Sequence, residues 1–358
     1  MIPANPMMRA SRALHCGVGA FSRKKMSAPS NRRVGSVTRA EAVADDKFAG
    51  YKPTTAFFFP GQGAQSVGMA KDVVEEVPAA KDLFEKASEI LGYDLLEVCV
   101  EGPKEKLNST AVSQPAIYVA SMAAVEQLRA TDPSVIDACD VTCGLSLGEY
   151  TALAFAGAMS FEDGLKLVKL RGAAMQAAAD AEPSAMVSVI GLDAEKTREL
   201  CKAATDEVGE DKAVQIANYL CKGNYAVSGS VEGCEAVERI AKPDFKARMT
   251  VRLAVAGAFH TRYMSPAVDQ LKEALAGTEI VTPRIPVISN VDAEPHSSPE
   301  VIKDILSRQV TSPVQWETTM QKLLESGMTT SYELGPGKVI AGIMKRIDRK
   351  HGVNNITV

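Results

Sequence analysis

No stretch of eighteen or more consecutive apolar residues occurs in the 358-residue chain, so no segment reads as a transmembrane helix. Its seven cysteines (16, 99, 139, 143, 201, 221 and 234) are odd in number and scattered, and none forms a C-x-x-C pair. That disfavours a zinc ribbon or a disulfide framework and fits a reducing compartment. No acidic residue precedes Glu41, while residues 1–40 hold eight Lys or Arg; without those eight charges the formal charge moves from −4 to −12. A Ser/Ala/Arg-rich leader over residues 1–48 with no apolar h-region is expected to be an organellar transit peptide and not part of the fold. The alternative is a basic tail that binds nucleic acid. The remainder is acidic, which disfavours nucleic acid as a partner. Neither an internal repeat nor a low-complexity linker follows residue 50, and 46% hydrophobic residues suffice for one large α/β domain with an insertion, or for two domains.

What is present centres on Thr142-Cys-Gly-Leu-Ser-Leu-Gly-Glu-Tyr150, a Gly-x-Ser-x-Gly pattern. Upstream, Ile136, Ala138, Val141 and Cys143 suit a short buried strand; downstream, Tyr150-Thr-Ala-Leu-Ala-Phe-Ala suits a tight helix. A strand, a sharp turn and a helix would hold Ser146 out as a candidate nucleophile, with Gly144 and Gly148 present because a Cβ on either flank would strike a neighbour. The bland alternative is a glycine turn without chemistry.

The first apolar run, Thr55-Ala-Phe-Phe-Phe59, reads as a fully buried strand ending in Pro60-Gly-Gln-Gly-Ala-Gln65. Ser66 stands where a dinucleotide fingerprint needs its third glycine. The loop better suits a close backbone approach, in which the N–H groups of Gln62 and Leu147 form a two-donor oxyanion hole. Gly335-Pro-Gly-Lys338 lacks the first glycine and the Ser/Thr of a phosphate loop.

Helical patterns follow around 82–92 and over Gln114–Arg129, where Pro115 is expected in the first turn. Ser160-Phe-Glu-Asp163 opens a helix to about Ala179. Arg171 shares its apolar face with Leu167, Val168, Ala174 and Met175. A buried guanidinium is costly unless paired, and its partner is either a ligand carboxylate or an Asp or Glu from another element.

From about 184 to 255 the pattern runs β-α-β-β-α-β: strands at 185–191, within 213–228 around Cys221-Lys-Gly-Asn224, and at 247–255, with helices at 193–204 and 231–241. This is a ferredoxin-like unit that could fold as an insert. The expected organisation is a discontinuous catalytic domain, 49–180 and 250–358, carrying a small subdomain at 181–249. Val287–Asn290 and Thr329–Leu334 read as further strands, followed by a closing helix to about Arg346.

Only four histidines are available as a base. His15 lies in the leader, His351 in a basic tail and His296 in a polar stretch, which leaves His260 after a strand in Val255-Ala-Gly-Ala-Phe-His260. A satisfied core histidine is the alternative. No acid lies near it in sequence, so its orienting group is a distant Asp or Glu, or a backbone carbonyl. Lys338, Lys345, Arg346, Arg349 and Lys350 form a basic cluster suited to an acidic partner, or simply a solvated helix face.

Together, Phe59-Pro-Gly-Gln-Gly-Ala-Gln65, Gly144-Leu-Ser-Leu-Gly-Glu-Tyr150, Arg171-Gly-x-x-Met175, Ala258-Phe-His260, Arg308-Gln309 before Pro313-Val-Gln-Trp316, and Glu333-Leu-Gly-Pro-Gly-Lys338 resemble the malonyl-CoA:acyl-carrier-protein transacylase family. The resemblance covers roughly residues 54–350, and the Ala217–Ser228 segment is most like plant and algal plastid members. It implies an α/β-hydrolase-like core with a ferredoxin-like insert and the active site in the cleft between them. It further implies Ser146 as nucleophile, His260 as base oriented by the main-chain carbonyl of Gln309, and Gln62 and Leu147 as oxyanion donors. Arg171 would bind the malonyl carboxylate, with Gln114, Met175, Asn218 and Phe259 in the pocket.

The reaction implied is ping-pong transfer of malonyl from malonyl-CoA to holo-acyl carrier protein for fatty acid synthesis, without metal or redox cofactor, by a monomer in the plastid stroma or, alternatively, the mitochondrial matrix. Leu145 departs from the family pattern, in which many members have His before the nucleophile. A serine thioesterase or hydrolase, a polyketide-type acyltransferase and a silent carrier-binding module are the competing readings.

Overall fold

The computed structural model describes residues 47–358 of the protein; the expected leader falls almost wholly outside them. Nine strands occur among the described residues: β1 Thr55–Phe59, β2 Val141–Gly144, β3 Ser184–Ile190, β4 Val214–Cys221, β5 Asn224–Ser230, β6 Met249–Arg252, β7 Val287–Ile288, β8 Thr330–Leu334 and β9 Asn354–Ile356. Five form a parallel sheet in the order β7-β2-β1-β8-β9, and the other four an antiparallel sheet in the order β4-β5-β3-β6.

The run of three phenylalanines in β1 reflects burial of both sheet faces. Phe57 and Phe59 pack with Ile117, Leu147 and Phe155 from helices or their approaches on one face. Ala56 and Phe58 pack with Trp316, Met320, Ile340 and Met344 on the other. In register, Phe59 pairs with Gly144, so the glycine loop after β1 lies beside the turn after β2.

Within the antiparallel sheet, β3, β4 and β5 send side chains to two different apolar faces. Val187, Val189, Ile216 and Val227 meet Leu200 and Val237 from the helices Ala194–Val208 and Val231–Ala241. From the opposite face, Met186, Ala217 and Ala226 meet Ala174, Met175 and Phe259. That second face therefore covers the helix that carries Arg171. A further tie is the pair Tyr219 N to Val314 O at 2.9 Å and Val314 N to Ala217 O at 2.8 Å.

Several expectations are corrected. Ile136 and Ala138 are not in a strand: Pro133 opens a helix, Pro133–Ala138, and the strand is only Val141–Gly144. Pro133 sits where its missing N–H costs nothing and its fixed φ favours a helical start. Pro115 lies inside the helix Thr110–Thr131, because that helix begins earlier than the hydrophobic pattern indicates. Burial along most of its length outweighs one missing hydrogen bond. The strands expected over 247–255 and 287–290 shrink to Met249–Arg252 and Val287–Ile288. Beyond these bounds Leu253 N still donates to Met186 O at 2.9 Å, but Leu253 and Val255 line a cleft, and Asn290 turns its side chain to the serine loop. The helices Ser265–Gly277 and Trp316–Glu325 were not anticipated.

Candidate active site

The chain between β2 and the helix Gly148–Phe155 turns so sharply that a Cβ on Gly144 would lie 1.9 Å from the Gly148 carbonyl carbon, and one on Gly148 2.1 Å from Phe59 O. Backbone atoms cannot yield, so only glycine fits either place. Ser146 between them has φ 53°, a left-handed conformation that costs a non-glycine residue about 1–3 kcal/mol. Its peptide groups are clamped: Ser146 N donates to Asn290 Oδ1 at 2.6 Å, and Gln309 Nε2 donates to Ser146 O at 2.9 Å.

The Ser146 hydroxyl lies 2.8 Å from His260 Nε2, and His260 Nδ1 lies 2.9 Å from the main-chain oxygen of Gln309. A carbonyl oxygen only accepts, so Nδ1 carries the proton. Nε2 is then the bare acceptor facing Ser146. His260 is buried, at 2% exposure. Burial, aided by the positive charge of Arg171, lowers its pKa to about 4, which keeps the imidazole neutral and basic at physiological pH.

Arg171 is 1% exposed and forms no salt bridge among the described residues. Its Nη1 donates to Gln114 Oε1 at 2.8 Å; Nη2 donates to Gln309 Oε1 at 2.8 Å and to Ser146 Oγ at 3.0 Å. The guanidinium carbon lies 5.4 Å from the Tyr150 ring centroid, and Nε has no hydrogen-bond partner among the described residues. A buried cation held only by neutral oxygens retains a strong attraction for an anion placed beside it.

A Cβ on Gly61 would lie 2.3 Å from Leu145 O, so that glycine lets the two loops touch. Among the described residues, neither the Gln62 N–H nor the Leu147 N–H finds an acceptor. Both residues line one cleft of about 220 Å³ together with Ser146, His260, Arg171, Gln114, Met175, Asn218 and Phe259. Gln309 stands behind it, fully buried. Lys338, Lys345 and Arg346 are exposed, on or next to the helix Val339–Ile347 whose Val339 and Ile343 also line the cleft. No cluster of three His, Cys, Asp or Glu suited to a metal occurs among the described residues, and none of their helices is long and apolar enough to cross a membrane.

A nucleophile, a neutral base, free backbone donors and a buried cation in one apolar cleft can perform acyl transfer on an anionic acyl group. Residues 56–358 match the acyl transferase domain family. A mitochondrial malonyl-CoA-acyl carrier protein transacylase of Mus musculus is 41% identical over 323 residues, 87% of this chain and 84% of its own. The chain belongs to the malonyl-CoA:acyl-carrier-protein transacylase family.

Two solved structures match the same way. The malonyl CoA-acyl carrier protein transacylase of Coxiella burnetii has a TM-score of 0.80 at 35% identity, covering 86% of this chain and 95% of that one. A type II PKS acyl-carrier protein in complex with its malonyl-transacylase matches with a TM-score of 0.79 at 35% identity, covering 85% and 96%.

Two residues in this transacylase site escaped the sequence reading. Glu149, 3% exposed, accepts from Gln309 Nε2 at 2.6 Å and from Asn290 N at 3.1 Å. Burial raises its pKa to about 7 against the opposing pull of those two hydrogen bonds. Asn290 also holds Gly144 O through Nδ2 at 2.7 Å. Glu149 was in view, one residue past the second glycine, but nothing local marks it as buried. Asn290 is an unremarkable polar residue at the end of an apolar segment, and carries no sequence signal.

Proposed function

We propose that this chain transfers a malonyl group from malonyl-CoA to the phosphopantetheine thiol of holo-acyl carrier protein, supplying malonyl-carrier protein for fatty acid synthesis. The observation that carries the reading is the double contact of Ser146 Oγ, with the base His260 on one side and the cation Arg171 on the other. His260 Nε2 takes the hydroxyl proton as Oγ adds to the thioester carbonyl. The oxyanion is received by the N–H groups of Gln62 and Leu147. The tetrahedral adduct expels the CoA thiolate, which takes the proton back from His260. The carrier thiol then repeats the sequence in reverse on malonyl-Ser146. Arg171 binds the malonyl carboxylate throughout; an acetyl group would leave it unpaired.

The five-stranded parallel sheet with a serine at a strand-to-helix turn supports an α/β-hydrolase-like core, residues 49–180 and 250–358. The β-α-β-β-α-β order and the β4-β5-β3-β6 arrangement support a ferredoxin-like insert at 181–249. The exposed Lys338, Lys345 and Arg346 beside the cleft mouth would receive an acidic carrier protein, and the chain would act as a monomer. The basic leader supports an organellar destination, plastid stroma or, as in the name of the mouse relative, mitochondrion.

Intact mass after incubation with malonyl-CoA, then with holo-acyl carrier protein, tests the reading. The expected result is a malonyl adduct that is absent in Ser146→Ala, stable in water and discharged to the carrier. An adduct lost to water regardless of carrier would establish a thioesterase instead.

A further inference from the structure

We infer that Glu149 is a positioning residue for the acyl-carboxylate site: by accepting from Gln309 Nε2 and Asn290 N, it sets the direction of the Gln309 side-chain amide and through it the pose of Arg171. The inference rests on the malonyl-transfer reading.

Both hydrogens of Gln309 Nε2 are committed, one to Glu149 Oε2 at 2.6 Å and one to Ser146 O at 2.9 Å. Oε1 is thereby turned towards Arg171, accepting from Nη2 at 2.8 Å. A primary amide has nearly the same shape either way round, so only the chemistry of its neighbours chooses its direction. Reversed, it would set an NH2 group against a guanidinium, which has donors only, and would leave Glu149 facing an oxygen. The same acid oxygen takes the Asn290 N–H at 3.1 Å, and the Asn290 side chain holds Ser146 N at 2.6 Å and Gly144 O at 2.7 Å. One buried oxygen therefore ties the side-chain amide of Gln309 and the main chain of Asn290, the two residues whose side chains frame the Ser146 peptide groups.

What this arrangement requires is an acceptor oxygen at that point rather than a charge. With its pKa raised to about 7 by burial, acid and carboxylate forms are both populated around neutrality, and Oε2 can accept in either. His260 is oriented by the main-chain oxygen of Gln309, not by its amide. Losing the amide direction loosens the Ser146 O clamp, which both acyl groups share, but its effect through Arg171 is selective. It hinders malonyl, which needs the guanidinium, more than acetyl, which does not.

Initial rates of Ser146 acylation by malonyl-CoA and by acetyl-CoA, read by intact mass on the full chain, give a selectivity ratio. Glu149→Asp keeps the charge but withdraws the oxygen by about 1.5 Å, one bond length. Glu149→Gln keeps an oxygen in place and removes the charge. The malonyl-to-acetyl ratio is expected to fall about tenfold or more in Glu149→Asp, as in Gln309→Met, and to stay within about threefold of wild type in Glu149→Gln. A scaffold-only role would lower both rates together and leave the ratio alone. An unchanged ratio in either Glu149→Asp or Gln309→Met, or a Glu149→Gln ratio as low as that of Glu149→Asp, overturns the inference while leaving malonyl transfer standing. Wild-type chain that takes no malonyl group at Ser146 overturns both.

Discussion

Arg171 and Ser146 are in direct contact: the guanidinium Nη2 donates to Oγ of the proposed nucleophile at 3.0 Å. The carboxylate carbon and thioester carbonyl carbon of a malonyl group are about 2.5 Å apart, two C–C bonds across one methylene. A cation touching the nucleophile therefore matches a short acyl group with an acid at its end.

Replacing Arg171 with Ala is expected to lower kcat/KM for malonyl-CoA by about 10²–10³, the worth of a buried charged pair, and to affect acetyl-CoA less. Competition between the two thioesters for Ser146, followed by intact mass, measures this. Equal losses for both would remove Arg171 from acyl recognition.

The imidazole proposed as the base remains neutral well below neutrality, since His260 is shifted from 6.5 to about 4 by burial and the neighbouring Arg171. Acylation of Ser146 is expected to hold its rate as pH falls through 6.5 and to decline only towards pH 4. The stability sign follows from proton counts. Between those two pKa values the unfolded chain binds a proton at this histidine and the folded chain does not. The His260 contribution thus weakens on acidification from 6.5 to 4, by on the order of 3 kcal/mol. Denaturant midpoints of wild type and His260→Gln, compared across this range, would converge or cross as pH falls.

Gly148→Ala is expected to cost at least about 4 kcal/mol, because its methyl would sit 2.1 Å from a backbone oxygen of β1. Thermal unfolding reads this directly. Gly277→Ala is a control, since a Cβ there meets nothing within 4 Å.

Phe259 lines the cleft at 6% exposure. Truncation to Ala is expected to raise the rate of methylmalonyl-CoA relative to malonyl-CoA by about tenfold, the usual value of space for one methyl group. A wild-type enzyme that already uses both equally would show that the Phe259 ring does not crowd the α-methyl group.

The elbow was legible because sterics confine it to a few residues: Gly144 and Gly148 are dictated by contacts under 2.5 Å, and such a requirement is written in the chain. β1 was legible because a sheet buried on both faces leaves an unbroken apolar run. Pro115 misled because the start of its helix depends on tertiary burial, not on local pattern. Arg171 was recognisable as a buried cation from its helical neighbours, yet its actual partners, Gln114 and Gln309, lie 57 and 138 residues away.

The sequence by itself determined which chemical groups would be present and how each was locally held: a serine between two obligatory glycines, a histidine after an apolar segment and an arginine on an apolar helix face. These follow from short-range sterics and periodicity, which act over a few residues. Only the tertiary structure decided that Arg171, His260 and Asn290 meet at Ser146, and that Gln309 and the main chain of Asn290 are held behind it by one buried carboxyl, Glu149. Hydrogen bonds act over about 3 Å and do not depend on separation along the chain. Their pairing exists only once the parallel sheet, the Arg171 helix and the antiparallel sheet have packed.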